Sequence, residues 1–141
     1  MVPRSCTAWL AFWSITSVVV TGCAPAETMS SHSLDDVATY ISRSGYLCVL
    51  KKEAPTKTPT PQGMLDFGWL SDPLAEKGKI GRLLCSVWKF DSNAHASAYA
   101  EAFRKRNVPG FEARVNGPFV LCEHTTTSGG DVLEVFRKFV P

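Results

Sequence analysis

The sequence predicts an α+β fold, a two-layer sandwich in which helices pack on one face of a mainly antiparallel sheet. Three observations carry this expectation. Segments with apolar residues at i, i+3, i+4 and i+7 are interspersed with short runs of strand formers. An Asn116-Gly117 pair stands between two such runs, the pattern of a tight hairpin. The resulting order, α-β-β-α-β-β-α, shows no internal repeat and fits helices layered on an antiparallel sheet.

The elements follow in chain order. Ser33-Leu-Asp-Asp36 has the form of a capping box, and Leu34, Val37, Ala38 and Ile41 then fall on one helical face that Gly45 should end. Tyr46-Leu-Cys-Val-Leu50 is a short apolar run expected to be a buried strand. The segment 53–63 loses all periodicity, and its prolines and threonines predict an extended exposed loop, with Thr56, Thr58 and Thr60 as candidates for O-glycosylation. Met64–Leu70 is apolar but too short to classify, and Lys77–Gly81 reads as a turn. Between Arg82 and Phe90 lies a strand expected to be central, with Leu84, Trp88 and Phe90 on one face and Leu83, Cys85 and Val87 on the other.

Asp91 or Ser92 then caps a helix running from Asn93 to about Asn107, with Ala96, Tyr99, Ala100 and Phe103 as its core stripe. Pro109-Gly110 ends it. Residues 111–124 form the hairpin, turning at Asn116-Gly117 in a type I′ geometry. After a Thr/Ser/Gly loop, Asp131-Val-Leu-Glu134 caps a last amphipathic helix with Val132, Val135, Phe136 and Phe139 inward.

At 141 residues the chain has room for one domain. The formal charge is +2 and the basic cluster Arg104-Lys105-Arg106 suits the solvated C-terminal end of a helix, so the sequence gives no case for nucleic acid as a partner.

The N-terminus has its own character. Met-Val-Pro-Arg4 precedes an apolar run, Thr7–Val20, which is long enough to engage a membrane but short for a stable span of about 20 apolar residues. Immediately after it stands Val20-Thr21-Gly22-Cys23. This resembles the lipobox of bacterial lipoprotein precursors with a type II signal peptide. The resemblance implies cleavage between Gly22 and Cys23, and a diacylglyceryl group on the Cys23 thiol, with palmitate-type acyl chains as the anchor. Each buried methylene contributes about 0.8 kcal/mol, so two chains hold a protein on a bilayer far more firmly than one. Cys6 has no apolar run before it and does not compete. The expected organisation is a signal peptide at 1–22, a lipidated cysteine and tether at 23–32, and a single α+β domain at 33–141 that includes the Pro/Thr loop 53–63.

Candidate chemistry is sparse. Cys48, Cys85 and Cys122 all fall in apolar strand-like runs, where free cysteine packs as a small hydrophobe; one disulfide among the three is an equally open alternative. Cys122 and His124 share a strand face and are the only adjacent thiol and base. A Cys-x-His pair lacks the spacing of a zinc site, His32 and His95 are isolated, and no nucleophile-elbow, zincin, P-loop or dinucleotide-binding pattern occurs. No cofactor, metal site or catalytic residue is therefore expected. Phe67 and Trp69 share a face if their stretch is extended, and are the candidates for lining a ligand groove.

These readings converge on a non-enzymatic accessory or binding protein on the extracytoplasmic face of the cell membrane, meeting an envelope protein, peptide or glycan. Two alternatives are a small envelope enzyme using Cys122 and His124, and a prophage-encoded surface exclusion lipoprotein.

Overall fold

A computed structural model describes residues 30–54, 60–78, 83–124 and 131–141. The expected signal segment, Gly22, Cys23 and the expected tether up to Met29 lie outside the described residues, as do Thr56 and Thr58 and residues 125–130. The elements are α1 (Leu34–Arg43), β1 (Val49–Lys52), β2 (Met64–Ser71), a helical turn α2 (Pro73–Glu76), β3 (Leu84–Phe90), α3 (Asn93–Lys105), β4 (Phe111–Asn116), β5 (Phe119–His124) and α4 (Asp131–Arg137). The five strands form one antiparallel sheet in the order β1-β2-β3-β5-β4. The α+β class is as the sequence predicts, with β3 at the centre.

Local chemistry sets the helix ends. Ser33 caps α1 through a capping box: its Oγ accepts from Asp36 N at 3.3 Å, and the Asp36 carboxylate accepts from Ser33 N at 2.7 Å. That bond to the Ser33 backbone N–H, with a second from the Ser33 hydroxyl, holds the Asp36 carboxyl below the ordinary aspartate range. Ser92 caps α3 by accepting from His95 N at 3.2 Å. The Asp72 carboxylate accepts from Leu74 N at 2.8 Å and so starts α2, a turn the sequence analysis did not identify.

Packing departs from the expected two layers. Strand alternation puts Leu70, Cys85, Val87, Phe119 and Leu121 on one face of the sheet, where they pack with Leu34, Val37 and Ile41 of α1 and Val132, Leu133 and Phe136 of α4. The other face presents Phe90, Ala113, Val120 and Cys122 to Ala96 and Ala100 of α3. The helices therefore lie on both faces instead of one. The reason is in β3 and β5, which bury apolar residues on both faces: Cys85 and Val87 on one side and Phe90 on the other in β3, Phe119 and Leu121 on one side and Val120 and Cys122 on the other in β5. Strands like these need cover on two sides, and full burial of each Leu or Phe contributes about 1.5–3 kcal/mol.

Three further expectations are corrected. The stretch Met64–Leu70, too short to classify from its sequence, forms with Ser71 the longest of the described strands, pairing with both β1 and β3. Gly68 allows this, because a Cβ there would stand 2.8 Å from Leu50 Cδ1 and 2.9 Å from the Lys51 carbonyl oxygen. The expected buried strand at Tyr46–Leu50 is displaced to Val49–Lys52 and lies at the sheet edge, largely exposed. Cys48 falls just before it, tied to α1 by a contact of 3.0 Å with Ser42 Oγ and a hydrogen bond of 3.3 Å to the Ala38 carbonyl.

The hairpin turns one residue later than Asn116-Gly117. Asn116 pairs with Phe119 inside the ladder, leaving Gly117-Pro118 as the loop. Gly117 has φ +57°, and proline holds a negative φ, so the sign pattern is that of type II′ instead of I′. Asn116 is thereby free for another task. Its Nδ2 donates to the carbonyls of Phe136 at 2.8 Å and Phe139 at 2.6 Å, closing the C-terminal end of α4.

Candidate binding surface

Alternation along β2 points Phe67 and Trp69 to the α3 face, as the sequence predicts for an extended stretch. Trp69 stands opposite Ser86, and Phe67 opposite Trp88. The main chain of Glu53 continues the β1 ladder by donating to the Phe67 carbonyl at 3.1 Å. This brings the Glu53 carboxylate to the same side, where it accepts from Trp69 Nε1 at 3.1 Å.

From these two residues a row of rings crosses the face. The Phe67 ring lies 5.7 Å from Trp69 and 4.1 Å from Trp88, and Trp88 lies 4.8 Å from Tyr99 of α3. The row continues through Phe103 to Phe111, with 6.5 Å at each step, and ends at His124, whose ring meets Phe111 edge-on at 4.5 Å. Such offset and edge-to-face pairs add about 0.5–1.5 kcal/mol each beyond area burial. Trp88 is fixed further by donating from Nε1 to Ser86 Oγ at 3.1 Å. Tyr99 is desolvated enough to push its hydroxyl well above the usual tyrosine range.

Helix α3 packs on β3, β4 and β5 and leaves a corner of this face open. There three neighbouring strands each present an exposed apolar side chain: Val49 of β1, Trp69 of β2 at 36% and Leu84 of β3 at 41%. At the far end of the row Phe111 is exposed as well, beside a cleft of about 400 Å³ lined by Phe103, Val108, Phe111, Arg104, Glu112 and Arg114. Arg104 reaches across that end to donate to the Ala113 carbonyl at 3.3 Å. A smaller hollow of about 280 Å³ lies between Pro61-Gln62 and the Tyr99 side of α3. The larger hollow falls within the size range of small-molecule and peptide sites.

The other sequence candidates are placed as follows. Cys122 and His124 do share a face, but Cys122 is buried against α3 and burial pushes its thiol up to about 12, which is the reverse of an activated nucleophile. None of Cys48, Cys85 and Cys122 is in a disulfide. Cys85 and Cys122 lie on opposite faces of the sheet, since Cys85 pairs with Glu123 and Cys122 with Ser86. His95 pairs with Asp91 at 2.5 Å on the first turn of α3, a contact that lowers the Asp91 carboxyl, and His32 lies 3.8 Å from Asp36. Among the described residues no group of three or more His, Cys, Asp or Glu is arranged to hold a metal ion.

Sequence reasoning found Phe67 and Trp69 but not Trp88, Tyr99 and Phe111 as their continuation. The signal available was alternation in β3 and β4, which needed the strand register to be connected to β2. It also missed Glu123, a fully buried acidic side chain on the α1 and α4 side of the sheet; burial first, then the neighbouring Asp131 and Glu123, raise the Tyr46 hydroxyl. Comparison of the chain with protein-family models, with curated proteins and with solved structures gave no match.

Proposed function

We propose that the chain is a membrane-anchored lipoprotein of the cell envelope, held through Cys23 on the extracytoplasmic face, and that its domain is a non-enzymatic binding module. The open aromatic corner receives an envelope protein, peptide or glycan. The observation that carries this reading is Trp69: an indole left exposed between Val49 and Leu84, and continuous with a row of packed rings. An exposed apolar patch with a polar rim is what a docking surface needs, and here Lys51 of β1 and Glu53 just after it supply the rim. Flat ligand surfaces, such as a sugar ring or a proline in an extended peptide, suit such rings. The anchor adds effective concentration for a partner in the same envelope.

Two measurements test the two halves. Intact mass of the membrane-fraction protein is expected to show loss of residues 1–22 and added acyl mass, both abolished by Cys23→Ala. Tryptophan emission titrated with soluble peptidoglycan fragments and proline-rich peptides is expected to shift saturably with one of the two classes, and to lose the shift in Trp69→Ala. Unacylated protein in the medium overturns the anchor, and emission that neither class moves overturns the binding surface.

The enzyme alternative is opposed by the buried, strongly protonated thiol of Cys122. The phage-exclusion alternative draws on size and anchoring alone.

A further inference from the structure

The antiparallel sheet has two ends, and the elements sort between them. At one end lie the close of β1, the start of β2, the close of β3 and the β4–β5 turn; at the other lie Leu47, the start of β3, and the Phe111–His124 pair. The chain enters the domain at the first end. Lys89, next to the last residue of β3, donates from Nζ to the carbonyls of His32 at 2.6 Å and Ser30 at 3.3 Å, and the His32 ring packs on Phe139 at 5.4 Å. The C-terminus is there too, because a Cβ on Gly117 at the hairpin tip would meet Pro141.

From this geometry we infer that the pole carrying Ser30, the Gly117-Pro118 turn and the C-terminus rests on the lipid surface, with Val140 and Leu65 as its apolar contacts. The inference rests on lipidation of Cys23. Two observations support a bilayer as the occupant. Ser30 is seven residue steps from Cys23, and at most about 3.6 Å per step holds the pole within roughly 25 Å of the anchored cysteine. At that same pole Val140 is 79% exposed and Leu65, in the bulge of β2, is 51% exposed. Aliphatic side chains beside an acyl anchor add insertion energy at the headgroup boundary. Along β3, at about 3.3 Å per residue, the level of Trp69 and Ser86 stands about 10 Å beyond Lys89, and Leu84 about 17 Å beyond it. The aromatic corner is thus turned away from the membrane, toward the envelope space.

The test uses the full acylated protein in vesicles whose lipids carry bromine on their acyl chains, which quenches tryptophan on contact. Cleavage leaves Trp69 and Trp88 as the native reporters. Val140→Trp adds a reporter at the proposed lipid contact. Leu47→Trp adds one at the opposite pole, at a position 70% exposed, so neither substitution disturbs the core. The expected result is loss of the emission that Val140→Trp adds, with the native pair and the Leu47→Trp increment unquenched. Equal quenching at both poles, no quenching at either, or quenching of the native pair overturns the orientation. Intact mass is read first: absent acyl mass overturns the lipoprotein reading and the orientation with it, whereas acyl mass present with the wrong quenching pattern overturns the orientation alone.

Discussion

Replacing Asn116 with alanine removes the amide that closes the C-terminal end of α4. Helix ends leave carbonyls without intrahelical partners, and Asn116 Nδ2 donates to the Phe136 carbonyl in the last turn at 2.8 Å and to the Phe139 carbonyl two residues past the helix at 2.6 Å, with a longer contact of 3.4 Å to the Arg137 carbonyl. Each net hydrogen bond contributes about 0.5–1.5 kcal/mol, so the two short bonds together predict a loss of about 1–3 kcal/mol. Phe136 and Phe139 are themselves buried, which keeps water from replacing the lost donor in full and places the loss toward the upper part of that range. Asn116→Asp preserves shape but aims a carboxylate at carbonyl oxygens at the negative end of a helix, so it should be worse than alanine. The assay is urea unfolding of the protein without residues 1–22, followed by far-ultraviolet circular dichroism. The midpoint should fall for both variants at unchanged slope, with Asp below Ala. A loss under about 0.5 kcal/mol for alanine, the usual range of an inconsequential surface change, would refute the reasoning, as would Asp more stable than Ala.

Other outcomes follow from the same structure. Gly68→Ala forces a Cβ against Leu50 and the Lys51 carbonyl, so β1 should shift or detach at a loss of about 1–3 kcal/mol, read as faster amide exchange confined first to Val49–Lys52. The Asp36 carboxyl is depressed in the folded chain. Its contribution is therefore present above the ordinary aspartate value of 3.8 and disappears as pH falls below it; Asp36→Asn should flatten the acid limb of a stability–pH profile, and an unchanged limb would argue against the capping box. Cys85 and Cys122 are buried, and burial raises the Cys122 thiol, so both should resist alkylation at pH 8 in the folded protein and react in urea; rapid labelling of Cys122 while folded would contradict the packing against α3. Trp69→Ala should lower the stability read from the urea midpoint by about 1–3 kcal/mol, for the lost ring pair with Phe67 and the lost hydrogen bond to Glu53, while removing any ligand-dependent change in emission.

What the sequence determined by itself is local. The Ser33 box, the Ser92 cap, the stop at Gly45, the two faces of Leu84–Phe90 and the existence of a hairpin near Gly117 all depend on contacts within about four residues, and their side chains announce them. Phe67 and Trp69 sharing a face needed only the two-residue period of a strand. The tertiary structure decided the rest. Whether the run from Met64 becomes a strand depended on β1 and β3 offering ladder partners on both sides, and Asp66 and Gly68 hid its pattern. Which face each helix takes was fixed by β3 and β5 being apolar on both sides, a property of the assembled sheet. The turn lies one residue later than expected, with the Asn116 amide bonded to carbonyls in and just after α4, some twenty residues away, a contact that no local window contains. The aromatic corner exists because α3 lies over β3, β4 and β5, and the position of a helix on a sheet is set by long-range packing that no single window of sequence contains.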